Sequence, residues 1–476
     1  MRGFGFLTSS FAASSFAASS VGVTCAAALA LPLALPAAAA PPRPAPTADR
    51  ATTTAGGTAQ GALAGSTQSL PLVPLTRSHV LGTAAEQGLY RKDVHHFSLV
   101  GVIWDNPGIE LHGRVQVRTR SAATGTWSGW QDVETHNADH GADPGTEEST
   151  SGRVRGATAP LWVGDSDGVD VRVRADTEQI TVDGRTVTAP AALPTGLRLE
   201  LVDPGAEPPP AGSPADAARN NAGLDEAAIA ASAVNTDLAP LGAAEIQTLT
   251  KKETERELLT LRAAEQPAGA RQSKPYIGPR PRIVTRHGWA ADEKLRERGF
   301  VYTNTVKAAF VHHTASGNKY TCSQAPSVIR GIYRYHVKSM GWRDIGYNFL
   351  VDKCGNIYEG RAGGVTKAVM GAHTLGFNSN SMGIAVIGTF NSSKPPAASV
   401  TAIAKLTAWK LGLFGANPKG KTYLKSGGGN LYPKGKNVRL NVISGHRDGY
   451  ATDCPGKKLY SKLGSARSTA ARYQGR

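Results

Sequence analysis

Halfway along this chain the spacing of apolar residues changes character, and that change divides it into two unlike domains. Between residues 76 and 203, short runs alternate apolar with polar positions. Examples are HFSLVGVIW (96–104), ELHGRVQVRTR (110–120), TWSGWQDVE (126–134), APLWVGDSDGVDVRVRA (159–175) and GLRLELV (196–202). A period of two, repeated in short runs with turn residues between them, belongs to half-buried strands. This part is therefore expected to form a β-sandwich of seven or eight strands. From 281 to 462 the period switches back and forth. AAFVHHT (308–314) and MGIAVIGTF (382–390) read as strands, and YNFLVDKCGNIYEGR (347–361) as a hairpin. SVIRGIYRYHVKSM (327–340) and SVTAIAKLTAWKLGLFG (399–415) have helical spacing, the second amphipathic and ended by Gly415. Strand and helix in turn predict an α/β domain, a mixed central sheet flanked by helices. The Pro/Ala-rich stretch 204–280 reads as a linker with one helix, EIQTLTKKETERELLTLRAAEQ (245–266), and 463–476 as a basic tail.

The N-terminus sets the compartment. VGVTCAAALALPLALPAAAAPP (21–42) is an apolar run ending in small residues, which reads as an export signal over 1–40. Pro32 and Pro36 interrupt it, so no stable membrane insertion is expected. A Pro/Ala/Thr/Gly-rich spacer follows over 41–75. The protein is thus expected to be secreted or held at the cell wall. Cys25 leaves with the signal, and an odd number remains: Cys322, Cys354 and Cys454. In an oxidising compartment, either two pair and the third has another task, or one stays idle.

Charge narrows the partners. Residues 271–476 carry 33 Lys+Arg against 8 Asp+Glu, a balance of +25, which leaves −9 for the rest and sums to the net +16. Such a basic half favours polyanions, and anionic wall polymers suit an exported chain. Nucleic acid is not expected, because no aromatic–basic platform or reading helix accompanies the charge. The lysine-rich, acid-free segment 417–437 fits either a phosphate grip or a solvated hairpin. Of the front-half tryptophans, Trp104, Trp127, Trp130 and Trp162, sandwich core is the expected fate, with a sugar-binding face as the alternative.

The chemistry concentrates in GHRDGYATDCPG (445–456), where His446 and Cys454 share one glycine-bracketed loop. Imidazole nitrogen and thiolate both suit zinc, and a catalytic zinc takes three protein ligands and leaves one position open. FVHHTA offers a third donor. Neighbouring strand residues face opposite ways, so only one of His312 and His313 shares a site with that loop. Spacing alone leaves unrelated surface histidines as an equal reading. No HExxH helix of a zinc peptidase is present.

Four blocks in order, VHHT (311–314), DIGYNF (344–349), GAHTLGFNSNSMGI (371–384) and GHRDGYATDCPG, resemble the peptidoglycan recognition protein family. IVTRHGWAAD (283–292) resembles that family's domain start. The family is related to the zinc-dependent N-acetylmuramoyl-L-alanine amidases, and the likeness spans 281–462 only. It implies zinc ligation by His312, His446 and Cys454, with Tyr347 and Thr452 as catalytic donors to the scissile carbonyl. It also implies a Cys322–Cys354 disulfide and peptidoglycan as partner, and His373 resembles a substrate-contact position, with structural hydrogen bonding as the alternative. Arg361 and Asn378 are read as stem-peptide contacts, the alternative being that the glycine-rich turns there are purely conformational, and a monomer is expected. Recognition-only members usually replace the ligand cysteine by serine, so Cys454 favours an enzyme over a non-catalytic receptor. Ala385 stands where some amidase relatives carry a glutamate, which leaves the general base unassigned; His373 is one candidate.

Overall fold

The computed structural model describes residues 65–75, 86–91, 93–135, 137–182, 185–206, 224–263 and 275–476. The expected signal, and the spacer up to residue 64, lie outside them. Strand β1 (Ser66–Pro71) begins inside the stretch expected to be spacer, and pairs antiparallel with β11 (Arg198–Asp203). Leu70 and Pro71 opposite Leu199 and Arg198 show why: the spacer's last residues already carry the pleat.

The front domain runs on through β2 (Val73–Pro74), β3 (Glu86–Arg91), β4 (Phe97–Trp104), β5 (Gly113–Ser121), β6 (Gln131–Val133), β7 (Gly156–Ala157) and β8 (Leu161–Ala175). A hairpin of β9 (Thr177–Val182) and β10 (Arg185–Pro190) precedes β11. The two layers are made from one long strand. β8 pairs with β4 at its start, through Leu161 and Trp162, and with β3 and β5 further on. Gly164, at φ +77°, falls where the β4 register shifts, between Trp162 opposite Leu99 and Ser166 opposite Phe97. Val100 and Val102 of β4, with their pairing partners Leu201 and Leu199 of β11, then share the sandwich core with Val115 and Val117 of β5.

β4 does not alternate in burial. Its other face carries Leu99, Gly101 and Ile103, and this face packs on the second domain. A strand covered on both sides reads as a near-continuous apolar run, and LVGVIW is one. Trp104 and Trp162 are core, whereas Trp127 and Trp130 are half-buried and lie under guanidinium groups, with Arg172 4.2 Å above the Trp130 ring.

The second domain has a seven-stranded mixed sheet in the order β12 (Glu245–Ile246), β13 (Ile283–Val284), β16 (Ile357–Glu359), β15 (Phe349–Val351), β17 (Ser381–Val386), β14 (Ala308–His313), β20 (Ile443–Gly445). β14 lies parallel to both β17 and β20, and all six of its residues are buried. Helix α1 (Glu226–Ala233) and α2 (Lys251–Ala263) come from the expected linker. So does β12, which means that the second domain starts within that linker. α2 begins later than the helical pattern implied, at a capping box: Thr250 N donates to Glu253 Oε2 at 2.8 Å, and the Glu253 amide donates to Thr250 Oγ1 at 3.4 Å.

α3 (Ala325–Arg334) buries Val328, Ile329, Ile332 and Tyr333, then widens into a π-turn over Tyr335–Ser339. α4 (Ala397–Leu413) was expected to be amphipathic but is buried around most of its circumference, Lys410 included. The cover comes from the presumed tail. After the short α5 (Lys457–Tyr460), α6 (Leu463–Gln474) lays Leu463, Ala466 and Ala470 in the same core as α4. The lysine-rich segment forms the hairpin β18 (Lys421–Lys425) and β19 (Asn437–Asn441), with Leu424, Val438 and Leu440 buried beneath it.

The two domains share a core. Leu99, Ile103, Trp162 and Val202 of the sandwich sit in one apolar cluster with Ile329, Ile332, Tyr335 and Tyr347. Around it, Tyr335 Oη donates to Thr158 O at 3.1 Å, Ser339 Oγ to Glu200 Oε2 at 2.7 Å, and Arg330 Nε to Pro204 O at 3.1 Å.

Candidate metal centre

Two sheet features bring the distant blocks together. β14 delivers His312 near the C-terminal end of a central parallel strand. β20 runs alongside it and ends at Gly445, so that His446 opens a single 3-10 turn over the same edge. The turn is held from below: Asp448 accepts from Gly445 N at 2.9 Å and from the Tyr460 hydroxyl at 2.6 Å. The Arg447 amide donates to Cys454 O at 3.1 Å, which folds the loop back and returns the thiol to the histidines.

His312 Nδ1 lies 3.1 Å from His446 Nδ1 and 3.7 Å from Cys454 Sγ. All three side chains are buried. A tetrahedral zinc, with bonds near 2.0–2.1 Å to nitrogen and 2.3 Å to sulfur, sets its donors about 3.3–3.6 Å apart. The observed spacings match within a few tenths of an ångström. Burial pushes His446 down to about 3 and His312 well below the ordinary imidazole range, so both are neutral donors. Burial, with Asp139 nearby, pushes the Cys454 thiol well up, and a bound cation is what would stabilise its thiolate there. Cys454 is the free cysteine of the described residues, because Cys322 and Cys354 form a disulfide with Cα atoms 6.2 Å apart. The donor set fits a zinc ion.

A fourth donor comes from the other domain. His140, between β6 and β7, places its Nε2 3.9 Å from Cys454 Sγ and its ring centroid 4.6 Å from that of His446. The ligand atoms of His140, His312, His446 and Cys454 all lie within 4.8 Å of one another. Nothing in the periodicity of the sandwich singles out His140. The available signal was the polar, acid-rich stretch NADHGADPGTEE (137–148), which interrupts the strand pattern.

The other residues named from the sequence fall in two layers. The Tyr347 ring centroid is 5.6 Å from that of His312, and burial raises its phenol well above the ordinary value. Thr452 Oγ1 accepts from Cys454 N at 3.1 Å. His313, on the opposite face of β14, accepts from Phe390 N at 3.2 Å and is not brought into the donor set. His373 is fully buried behind His312, with ring centroids 5.2 Å apart, its Nδ1 3.0 Å from Thr374 Oγ1 and its Nε2 without a hydrogen-bond partner. Asn378 Oδ1 accepts from His373 N at 2.7 Å, which fixes the GAHT loop. Arg361 donates through Nε to Ile345 O at 2.9 Å. Both Arg361 and Asn378 also bond to carboxylates of the 137–155 segment, described below.

The structure thus defines a class of site: a His–His–Cys set that could hold one metal ion, at the ends of the parallel strands of a mixed α/β sheet. Residues 302–457 match the N-acetylmuramoyl-L-alanine amidase family model. Residues 48–196 match a family described as Rv3811 N-terminal galactose-binding domain-like. The chain is 32% identical over 181 residues to peptidoglycan-recognition protein SC2 of Drosophila melanogaster, covering 38% of this chain and 84% of that protein. It is 30% identical over 158 residues to a peptidoglycan recognition protein of Trichoplusia ni, covering 33% and 73%. Among solved structures, peptidoglycan recognition protein-LE in complex with tracheal cytotoxin is 29% identical, with a TM-score of 0.31, covering 38% of this chain and 92% of that one. The chain belongs to the peptidoglycan recognition protein and type 2 amidase family, with a galactose-binding-like domain in front.

Proposed function

We propose that this protein is a secreted, zinc-dependent N-acetylmuramoyl-L-alanine amidase, cutting the amide between the lactyl group of muramic acid and L-alanine in peptidoglycan. The observation that carries the proposal is Cys454: an unpaired, buried thiol 3.7 Å from His312 Nδ1, which itself lies 3.1 Å from His446 Nδ1, all three within reach of one ion. A zinc ion held by His312, His446 and Cys454 would supply Lewis acidity, polarising the scissile carbonyl and acidifying water toward neutral pH.

The chain's own groups do the rest. Tyr347 keeps its proton at any physiological pH because burial opposes the phenolate, so it is a hydrogen-bond donor to a developing oxyanion. The Thr452 oxygen accepts from the Cys454 amide, and its hydroxyl, which here bonds the Asp139 carboxylate, is a donor to the oxyanion once that carboxylate is displaced. Arg361 and Asn378, in the layer behind the metal site, present a cation and an amide for the carboxylates and carbonyls of the stem peptide.

A non-catalytic receptor is the competing reading, and peptidoglycan is the partner in either case. Muropeptides of defined structure, incubated with zinc-loaded protein, separate the two by mass spectrometry. The amidase releases stem peptides with a free L-alanine amino terminus, and Cys454→Ser abolishes that release. Equal product from wild type and Cys454→Ser would refute catalysis at this site.

A further inference from the structure

We propose that the segment 137–155 of the front domain is an inhibitory plug in the cleft of the amidase domain, with His140 as the fourth protein ligand of the metal site. The full-length protein then cleaves slowly until the plug leaves. This rests on the amidase reading above and adds its regulation.

Four contacts, spread along the segment, meet the functional groups of the cleft one by one. His140 approaches the metal donors through Nε2, while its Nδ1 is 2.9 Å from Asp139 Oδ1. A carboxylate on the far nitrogen is the partner that orients metal-binding histidines and fixes their tautomer. Asp139 Oδ2 lies 3.6 Å from His446 Nδ1, and the Asp139 carbonyl accepts from Leu375 N at 3.0 Å. Next, the Asn378 amide nitrogen donates to Gly141 O at 2.8 Å and to Asp143 Oδ1 at 2.7 Å, and Gly376 N donates to the same oxygen at 2.8 Å. Last, Glu148 takes Arg361 in a two-point bridge of 2.8 and 2.9 Å, and accepts from Arg343 N at 3.2 Å. Arg361 and Glu148 are both buried.

Those partners are the point. Arg361 and Asn378 are the groups assigned to the stem peptide, and acidic side chains of the same polypeptide fill both. The metal site is filled in the same way. Sites with four protein ligands are closed and structural, while catalytic ones keep a position open for water. With His140 in place the set is His–His–His–Cys and closed. Without it, the set is His–His–Cys and open.

The segment is tied at its far end, by Arg155 N to Met340 O at 3.0 Å and by an Arg153–Glu297 ion pair, so its removal must break contacts all along the cleft. The peptidoglycan stem competes for the same groups, and entry of substrate is therefore opposed rather than blocked by a rigid wall.

The test uses the full chain in three forms: wild type, His140→Ala, and Asp143→Asn/Glu148→Gln. Thermal unfolding first establishes that each is folded. Chelator competition then measures zinc affinity, and cleavage and binding of a soluble muropeptide are followed in parallel. His140→Ala is expected to hold zinc at least about 10-fold more weakly, as loss of a metal-binding partner does, yet to cleave faster than wild type. Asp143→Asn/Glu148→Gln is expected to cleave faster too, at little change in zinc affinity. If no form cleaves, but His140→Ala still loses zinc affinity and both variants bind muropeptide more tightly than wild type, the plug stands and the amidase reading falls. Wild type cleaving as fast as both variants, or zinc affinity and muropeptide binding unmoved by either, overturns the plug.

Discussion

The docking of the two domains turns on one missing side chain, and Gly101→Ala tests it. Gly101 lies in β4 with its open face on Tyr335; a Cβ there would be 2.3 Å from the Tyr335 hydroxyl oxygen and 2.5 Å from Cζ. Ordinary contact is about 3.4–4 Å, so the ring must withdraw by about 1 Å. It is fully buried, and its hydroxyl is bonded to Thr158 O at 3.1 Å. Forcing it back costs about 1–3 kcal/mol in overpacking and about 1 kcal/mol for the weakened hydrogen bond. Against this, alanine gains about 0.4–1 kcal/mol over glycine by restricting the unfolded chain. The net expectation is a loss of about 1–3 kcal/mol, read from urea denaturation. The sign should reverse in a Tyr335→Leu background, where the obstacle is gone and only the unfolded-state gain remains. A Gly101→Ala effect of the same size with and without the tyrosine ring would show that the domains do not meet as described.

Three further outcomes are expected. Replacing Cys322 and Cys354 by serine removes a cross-link between positions 32 apart, which the chain-entropy account values at about 3–4 kcal/mol; zinc binding should persist, and an unchanged denaturation midpoint would count against the cross-link. Burial raises Glu359 to about 7, so between pH of about 4.5 and 7 the folded state holds a proton that the unfolded state has lost. Stability therefore falls as pH rises through that window, by up to about 3 kcal/mol, and Glu359→Gln should flatten the slope. Identical slopes in the two proteins refute that assignment. In the His140→Ala form, Tyr347→Phe should lower kcat by about 100–1,000-fold at unchanged zinc content; a drop of less than about 10-fold removes the phenol from the list of oxyanion donors.

The amidase-type sheet was legible because its signals are local. VHHT is a buried strand with two histidines on opposite faces, and the glycines around His446 and Cys454 mark a loop able to fold back on itself. The disulfide was implied by family resemblance, and the structure has it. What escaped was everything set by contact between distant segments. Leu99 and Ile103 looked like one side of a half-exposed strand, because the helix that covers them lies more than two hundred residues away. α4 looked amphipathic because its outer cover, α6, reads alone as a basic tail. Ser66–Pro71 lacks the apolar content of a free strand and is one only because β11 offers its edge. His140 was invisible for the same reason: a histidine among polar residues acquires meaning only when another domain presents a thiol to it.

The strand β4, apolar on both sides, has a last consequence. Severed at the linker, the front half would carry Leu99, Ile103 and Val202 as an oily stripe in water, and the back half would bare Ile332 and Tyr335. Neither piece is a portable module. A gene rearrangement that joined this front half to an unrelated enzyme would leave that stripe uncovered, and its product would tend to aggregate.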